Sequence, residues 1–409
     1  MLNYNYTARN TKTGSLIKAM VQAEDEHAAA ALIMKEGLTP LEIKLATDKG
    51  LLGSIKKGKV RTKDRVLFAR QLSTLINAGL PLVQALRSVN DQTTSKPLKV
   101  VIGGVISDIE AGKSLSASLA RYPRTFNNVF QSLVAAGEAS GTLDESLERI
   151  ANQQEKDSDI IHKIRGAMIY PLIVVLVMIA VVIFMLVKVL PQVKMLYTSF
   201  PGATLPIYTR VLLDLSSFVI HFWWLMLIIA LGLIGGLIYG TRTKRGIIIM
   251  DSIKINAPPF NTLFKKLYMA RFARTASTLV AAGVPLLQVL QITADSVSNY
   301  HVSQSIKKAS EKVKSGKSLG DSLTGDPYFL PLVPNMLKIG EQSGSMEQML
   351  AKSAEYYEKE VDNAVKNIST IIEPVMMVLL GIVALVIVAA VLLPIYSLAG
   401  SGAISQGGV

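Results

Sequence analysis

A nineteen-residue string that occurs twice limits what this chain can fold into more than any other feature. Phe68-Ala-Arg-Gln-Leu-Ser-Thr-Leu-Ile-Asn-Ala-Gly-Leu-Pro-Leu-Val-Gln-Ala-Leu86 returns as Phe272-Ala-Arg-Thr-Ala-Ser-Thr-Leu-Val-Ala-Ala-Gly-Val-Pro-Leu-Leu-Gln-Val-Leu290, displaced by 204 residues, with twelve of nineteen positions identical. Average composition gives roughly one identity by chance. Gly112-Lys-Ser-Leu115 returns as Gly316-Lys-Ser-Leu319, and Gly137-Glu-Ala-Ser-Gly141 as Gly340-Glu-Gln-Ser-Gly344, the last displaced by 203. Pro171 and Pro191 meet Pro374 and Pro394 at that same displacement. One unit, used twice, makes up most of the chain.

Each copy runs into apolar sequence. The 22 residues between Arg165 and Lys188 and the 27 between Asp214 and Arg242 carry no charge, and none follows Glu373. A helix of about 20 apolar residues crosses the roughly 30 Å hydrocarbon core of a bilayer, so three spans are expected. Lysine and arginine are unevenly placed. Residues 1–167 hold 23 and residues 242–372 hold 17, against Lys194 and Arg210 alone in 189–214 and none after Pro394. Cytoplasmic flanks keep the positive charge, which places the N-terminus and 242–372 inside and the middle segment and C-terminus outside. The net charge of +13 thus belongs to membrane flanks, not to a nucleic-acid surface. Two units facing the same way can be joined only if one extra helix returns the chain, and the middle span is that return. Inverted repeats, common in transporters, would face opposite ways.

The expected division follows. Residues 1–46 read as a small ββαβ module: period-two alternation at Leu2, Tyr4, Tyr6 and Ala8 and again at Ile17, Ala19, Val21 and Ala23, an alanine-rich helix over Asp25–Glu36, and a third strand at Leu41, Ile43 and Leu45. Met1–Met20 has no apolar h-region, so no signal peptide is expected. A Gly- and Lys-rich linker occupies 47–63, and the first helical-bundle repeat 64–165. Span one is 166–188, an extracytoplasmic loop 189–214, span two 215–241, the second bundle 242–372, span three 373–394 and an extracytoplasmic tail 395–409. The fold class is an all-α membrane protein: two tandem cytoplasmic bundles, three transmembrane helices and the N-terminal module. Gly79-Leu-Pro81 and Gly283-Val-Pro285 stop one helix and start the next. Ser114 and Ser318 are expected N-caps. Gly137 with Gly141, and Gly340 with Gly344, close one helix and open another, capped in the first copy by Ser140 or Thr142. Pro171 and Pro374 stand in the first turns of their spans, where a proline either starts a fresh helix or kinks a continuous one, and the kink is the expectation taken here. Gly232 and Gly236 in span two form a Gly-x-x-x-Gly face, suited to close helix contact or merely tolerated in lipid.

Reactive chemistry finds little to build on. Gly112-Lys113-Ser114 and Gly316-Lys317-Ser318 resemble the end of a phosphate loop, but Ser107 and Glu311 stand where the earlier glycine is needed. His27, His162, His221 and His301 share no metal-ligand spacing, and there is no cysteine. Glu358-Lys-Glu360-Val-Asp362 reads as a solvated helix face. Glu138 and Glu341 read as acids in a first helical turn, with a partner contact or cation site as the sharper alternative. No catalytic residue, cofactor site or metal site is expected. A transporter would need a polar path, and a membrane ATPase would need nucleotide binding through Lys113 and Lys317.

The duplicated Phe-Ala-Arg…Ala-Gly-x-Pro-Leu, Gly-Lys-Ser-Leu and Gly-Glu-x-Ser-Gly strings resemble the cytoplasmic-membrane platform proteins of type IV pilus and type II secretion machines, the PilC/GspF family. Leu205-Pro-x-x-Thr209, Glu373-Pro374, Leu393-Pro394 and the Tyr4-x-Tyr-x-Ala8 opening are similar to the same family, and Asn10 departs from it where an acid is commoner. The resemblance implies a non-enzymatic inner-membrane platform that links a hexameric assembly or retraction ATPase to pilins or pseudopilins, as a dimer or higher oligomer. It points to Arg70, Gly79, Pro81, Gly137, Glu138, Gly141 and their counterparts Arg274, Gly283, Pro285, Gly340, Glu341, Gly344 as candidate partner-contact or structural positions.

Overall fold

The computed structural model describes residues 2–10, 16–23, 25–35, 38–45, 59–192, 195, 207–241, 243–258 and 260–400. It divides into two compact units, Met1–Arg61 with Thr94–Val100, and Thr62–Thr93 with Val101–Val409. In the first, β1 (Leu2–Asn10) pairs antiparallel with both β2 (Leu16–Ala23) and β3 (Leu38–Leu45), giving the order β2-β1-β3. The helix α1 (Glu26–Lys35) is started by Asp25, whose carboxylate accepts the Ala28 N–H at 2.7 Å. Ala8, Ile33 and Leu38 form its small core. Residues 11–15, between β1 and β2, and most of the linker read at 47–63 lie outside the described residues.

The second unit holds α2 (Thr62–Asn77), α3 (Leu82–Gln92), α4 (Lys96–Glu110) from residue 101 on, its first residues counting with the first unit, α5 (Leu115–Ala120) and α6 (Asn128–Ser140), a bundle that continues into α7 (Leu143–Phe184). A π-helical turn, Met185–Val189, follows α7. After α8 (Ile207–His221), α9 (Trp223–Gly240) and α10 (Lys244–Asn256) the pattern returns: α11 (Asn261–Ala281), α12 (Leu286–Ser296), α13 (Tyr300–Lys314), α14 (Leu319–Leu323), α15 (Leu332–Ser343) and the 55-residue α16 (Met346–Gly400). The duplication reaches the cores. Phe68 packs on Phe126 with ring centroids 5.5 Å apart, and Phe272 on Phe329 at 5.1 Å. All but Phe329 are at most 1% exposed, and such pairs add about 0.5–1.5 kcal/mol beyond their buried area. Gly79 and Gly283 take φ of 82° and 75°, the left-handed region that glycine enters without a Cβ penalty. Pro81 and Pro285 sit at the N-cap, one position earlier than a first-turn proline.

Leu143–Gln192 and Met346–Leu392 are long and apolar enough to cross a membrane, with only 6% and 11% of their most apolar windows buried. A core helix of a soluble protein would be mostly covered, so these two surfaces need an apolar surrounding. Both run straight through their prolines, since Pro171 lies inside α7 and Pro374 inside α16. Each proline withdraws an N–H from the helical ladder. The segment read as a loop over 189–214 is partly helical, because Leu190–Gln192 extends the first long helix and α8 begins at Ile207. The segment read as one span over 215–241 is interrupted at Phe222, between α8 and α9. The helical hydrogen bonds of Phe222 to Phe218 and of Met226 to Phe222 continue across this bend, and Leu213 of α8 is buried against Met185, Leu190 and Ala390. Ser216 of α8 also donates its hydroxyl to the Leu186 carbonyl within the π turn, where the wider turn leaves carbonyls open to a side-chain donor.

Candidate functional site

The repeated motifs meet in space, and each copy builds the same two contacts. In the first, the Phe-Ala-Arg arginine reaches the long helix that leads to the apolar segment. Arg70 donates to both carboxylate oxygens of Glu155, at 2.6 and 2.5 Å, and to Asn152 at 2.6 Å. In the second copy Arg274 donates to Glu358 at 2.7 Å. Glu155 and Glu358 are themselves 203 residues apart, a signal of pairing present in the sequence and missed there. The Arg70 guanidinium holds the Glu155 carboxyl below the usual carboxylate range. The expected solvated face is corrected on all three acids: Glu358 is taken by Arg274, Glu360 by Lys266 at 2.5 Å, and Asp362 by Lys163 at 2.7 Å. Periodicity identified an exposed stripe, but α7 and α11 pack along α16 and bring cations to it.

The second contact joins Gly-Lys-Ser-Leu to Gly-Glu-x-Ser-Gly. Ser114 caps α5 by accepting the Ala117 N–H at 3.2 Å, and Ser318 caps α14 by accepting that of Asp321 at 3.1 Å. Glu138 accepts the N–H groups of Leu115 and Ser116 at 2.5 and 3.0 Å. Glu341 accepts those of Leu319 and Gly320 at the same distances. These glutamates lie in the last turns of α6 and α15, not in a first turn, and they cap a neighbouring helix rather than their own. Both motifs are two halves of one tertiary cap, which satisfies donors a helix N-terminus leaves free. Gly137 and Gly340 make this possible from within their helices. A Cβ on Gly137 would lie 2.7 Å from Ser146 Cβ, and one on Gly340 2.9 Å from Met346 Cα. The left-handed turns fall to Gly141 and Gly344, with φ of 74° and 68°. The expected caps at Ser140 and Thr142 are not made: Ser140 donates to the Ala136 carbonyl, and Thr142 makes no capping bond.

The two bundles meet along their long helices. Ile160 of α7 is buried with Leu263, Leu267, Val361, Ala364 and Ile368, and Lys163 bridges to Asp362 beside them. Next to this apolar seam lies a polar cleft of about 610 Å³, lined by Arg149, Lys156, Arg274, Glu347 and Glu358 among others. Asp157 of α7 does not line this cleft; it is half-buried, within the electrostatic reach of Arg271, Arg274 and Glu358. Burial pushes its carboxyl up, against the opposing pull of Arg271 and a hydrogen bond from Gln153. A carboxyl raised on folding is a penalty wherever it is charged, so its cost is full above its folded value and fades as pH falls toward 3.8. Asp157→Asn is therefore expected to raise the melting temperature at neutral pH, with the gain shrinking on acidification. A gain independent of pH would contradict this.

Among the described residues no group of His, Asp and Glu is placed to hold a metal. Ser107 and Glu311 lie in α4 and α13, so neither Gly-Lys-Ser string closes a phosphate loop. Gly232 and Gly236 are exposed on α9 with nothing within 4 Å of a Cβ; neither makes a close helix contact with a described part of this chain.

Residues 68–191 and 272–394 match the family described as "Type II secretion system (T2SS), protein F", and residues 1–44 match "Type II secretion system protein F, N-terminal domain". The chain is 35% identical over 403 residues to the Type IV pilus assembly protein PilC of Thermus thermophilus, across 97% of this chain and 98% of that one. It is 36% identical to PilC of Pseudomonas aeruginosa over 372 residues, across 90% and 98%. The Type II secretion system protein F of Vibrio cholerae is 32% identical over 401 residues, across 97% and 98%. The matched segments coincide with the two copies of the bundle and their apolar helices, and the relatives align along nearly their whole length. This chain belongs to the type II secretion system protein F family.

Proposed function

We propose that this chain is the non-enzymatic inner-membrane platform of a type IV pilus machine, coupling a cytoplasmic hexameric ATPase to insertion and extraction of pilin subunits. The observation that carries the reading is the continuity of α7 and α16: each starts inside a bundle and ends in apolar sequence. A displacement of either bundle is thereby delivered to the membrane through one helix. The Arg–Glu pairs and tertiary glutamate caps stiffen each bundle, and the prolines at 171 and 374, each missing a ladder N–H, are where these helices are built to bend under load. The relatives named for pilus assembly support the pilus machine at 35% and 36% identity.

The topology that goes with this function has three spans, 166–188, 215–241 and 373–394, with the N-terminus and both bundles, 64–165 and 242–372, in the cytoplasm. The 1–46 module and the 47–63 linker precede them, and 189–214 and 395–409 are extracytoplasmic. The platform acts as a dimer or higher oligomer beside other membrane components of the machine. Deleting the gene is expected to remove surface filaments, with rescue by the native chain and reduced rescue by the Pro171→Ala/Pro374→Ala variant. Full rescue by that variant would end the role of the bends, and filaments persisting in the deletion would end the pilus reading. The same platform in a type II secretion system is the second reading, favoured by the 32% identity to the Vibrio cholerae protein F. Loss of secreted enzymes with filaments intact would select it. A membrane transporter is the remote alternative, and it would be revealed by solute flux in liposomes holding the chain alone.

A further inference from the structure

Among the described residues α10 has no counterpart in the first bundle, because α2 begins at Thr62 and the position displaced by 204 from it falls inside α11. Its two faces are inverted. Asp251 and Ile255, four residues apart, are turned inward and are 5% and 1% exposed. The Asp251 carboxylate accepts the Tyr300 N–H at 2.9 Å, at the start of α13, and the Lys254 ammonium at 3.0 Å. This anchors α10 to the bundle through a polar contact. On the other side Ile249 and Ile253, also four apart, are 61% and 51% exposed. Arg245 lies one turn before Ile249 on that stripe, and Lys244 is exposed beside it. A surface helix of a water-soluble domain turns its apolar stripe to the core, so an outward stripe on a firmly anchored helix calls for an apolar partner outside.

We propose that α10 lies in the cytoplasmic interface of the bilayer, with Ile249 and Ile253 among the acyl chains and Lys244 and Arg245 against anionic headgroups. Three features select lipid. Only Thr241–Thr243 separate α10 from α9, a reach of about 10 Å. Leu231, Leu233 and Tyr239 of α9 are exposed apolar side chains, as Ile249 and Ile253 of α10 are, on the helix immediately before it in the chain. The cations sit at the end nearest α9, where a basic amphipathic helix meets headgroups. This inference rests on α9 being the second span, and it adds a device that span alone lacks: a float that fixes the height and tilt of the second bundle over the membrane. Among the described residues the first bundle has no such helix.

Because the chain has no cysteine, single cysteines can be placed at will. Ile249→Cys, Ile253→Cys, Leu231→Cys on α9 and Gln342→Cys on the bundle surface are labelled with an environment-sensitive fluorophore, in nanodiscs of phosphatidylethanolamine and phosphatidylglycerol. The expected result is strong quenching by a lipid-borne nitroxide at 231, 249 and 253, and by aqueous iodide at 342. Lipid contact at 231 with water at 249 and 253 would overturn the float and leave the span. Water at 231 would overturn the spanning reading and the float with it. Protection of 249 and 253 from both quenchers would overturn the float in favour of contact with another protein or a second copy.

Discussion

Replacing Arg274 with methionine is expected to destabilise the protein by about 3 kcal/mol, the range for removing one partner of a buried ion pair. The same change at Arg70 is expected to cost about 1 kcal/mol or less, as for exposed pairs. Bond geometry by itself argues the reverse, since Arg70 makes the fuller set of hydrogen bonds, two to Glu155 and one to Asn152. Burial decides. The Arg274 and Glu358 side chains are 22% and 15% exposed, against 36% and 38% for Arg70 and Glu155. A carboxylate stranded at Glu358, at the wall of a narrow cleft, recovers less of its hydration than one at Glu155. Thermal unfolding of the detergent-solubilised chain checks this. Arg274→Met should melt well below Arg70→Met, and adding Glu358→Met should restore much of the loss because no lone charge remains. Equal losses at 70 and 274 would show that the seam between the bundles does not exclude water.

The second large effect is expected at the tertiary caps. Glu138→Ala and Glu341→Ala each leave two backbone N–H groups of a short helix without their charged acceptor. Hydrogen bonds to charged groups contribute about 1.5–3 kcal/mol, so a loss of about 2–3 kcal/mol is expected from either change, similar in the two bundles. The backbone distances in the two copies agree at 2.5 and 3.0 Å, and because Glu138 also accepts the Ser116 hydroxyl where the second copy has Gly320, its loss should be the larger within that range. Glutamine at either position should fall between, as its amide keeps one acceptor oxygen. A Glu341→Ala variant as stable as the native chain would mean that water replaces the carboxylate freely. Hydrogen exchange at Leu319 and Gly320 would report the same loss locally, without requiring the whole chain to unfold in one step.

Much of this architecture could be read directly. The offset of 204, then 203, identified two copies of one helical unit, and the glycines at 79, 141, 283 and 344 marked turns that the backbone makes with positive φ. Serines 114 and 318 were legible as caps because capping is local chemistry, decided within three residues. Pro171 and Pro374 were legible as interior prolines of long helices. What failed was non-local. The Glu138 and Glu341 contacts join segments more than twenty residues apart, so a local rule assigned each acid to its own helix. The acids at 358, 360 and 362 have helical spacing, which says which residues share a face and nothing about what that face meets. The first half of α8, 207–214, was taken for loop because its packing on the π turn comes from segments distant in the chain.

By itself the sequence determined that there are two copies of a helical unit, where their turns fall, and which stretches are too apolar for water. These follow from composition and from periods of a few residues, and they hold whatever the neighbours do. Only the tertiary structure decided that the two copies are unequal. It placed Arg274 and Glu358 against the partner bundle while leaving Arg70 and Glu155 half in solvent, and it turned the isoleucines of α10 outward. The physical reason is that burial belongs to the assembled surface: identical motifs acquire different energies once one of them is covered.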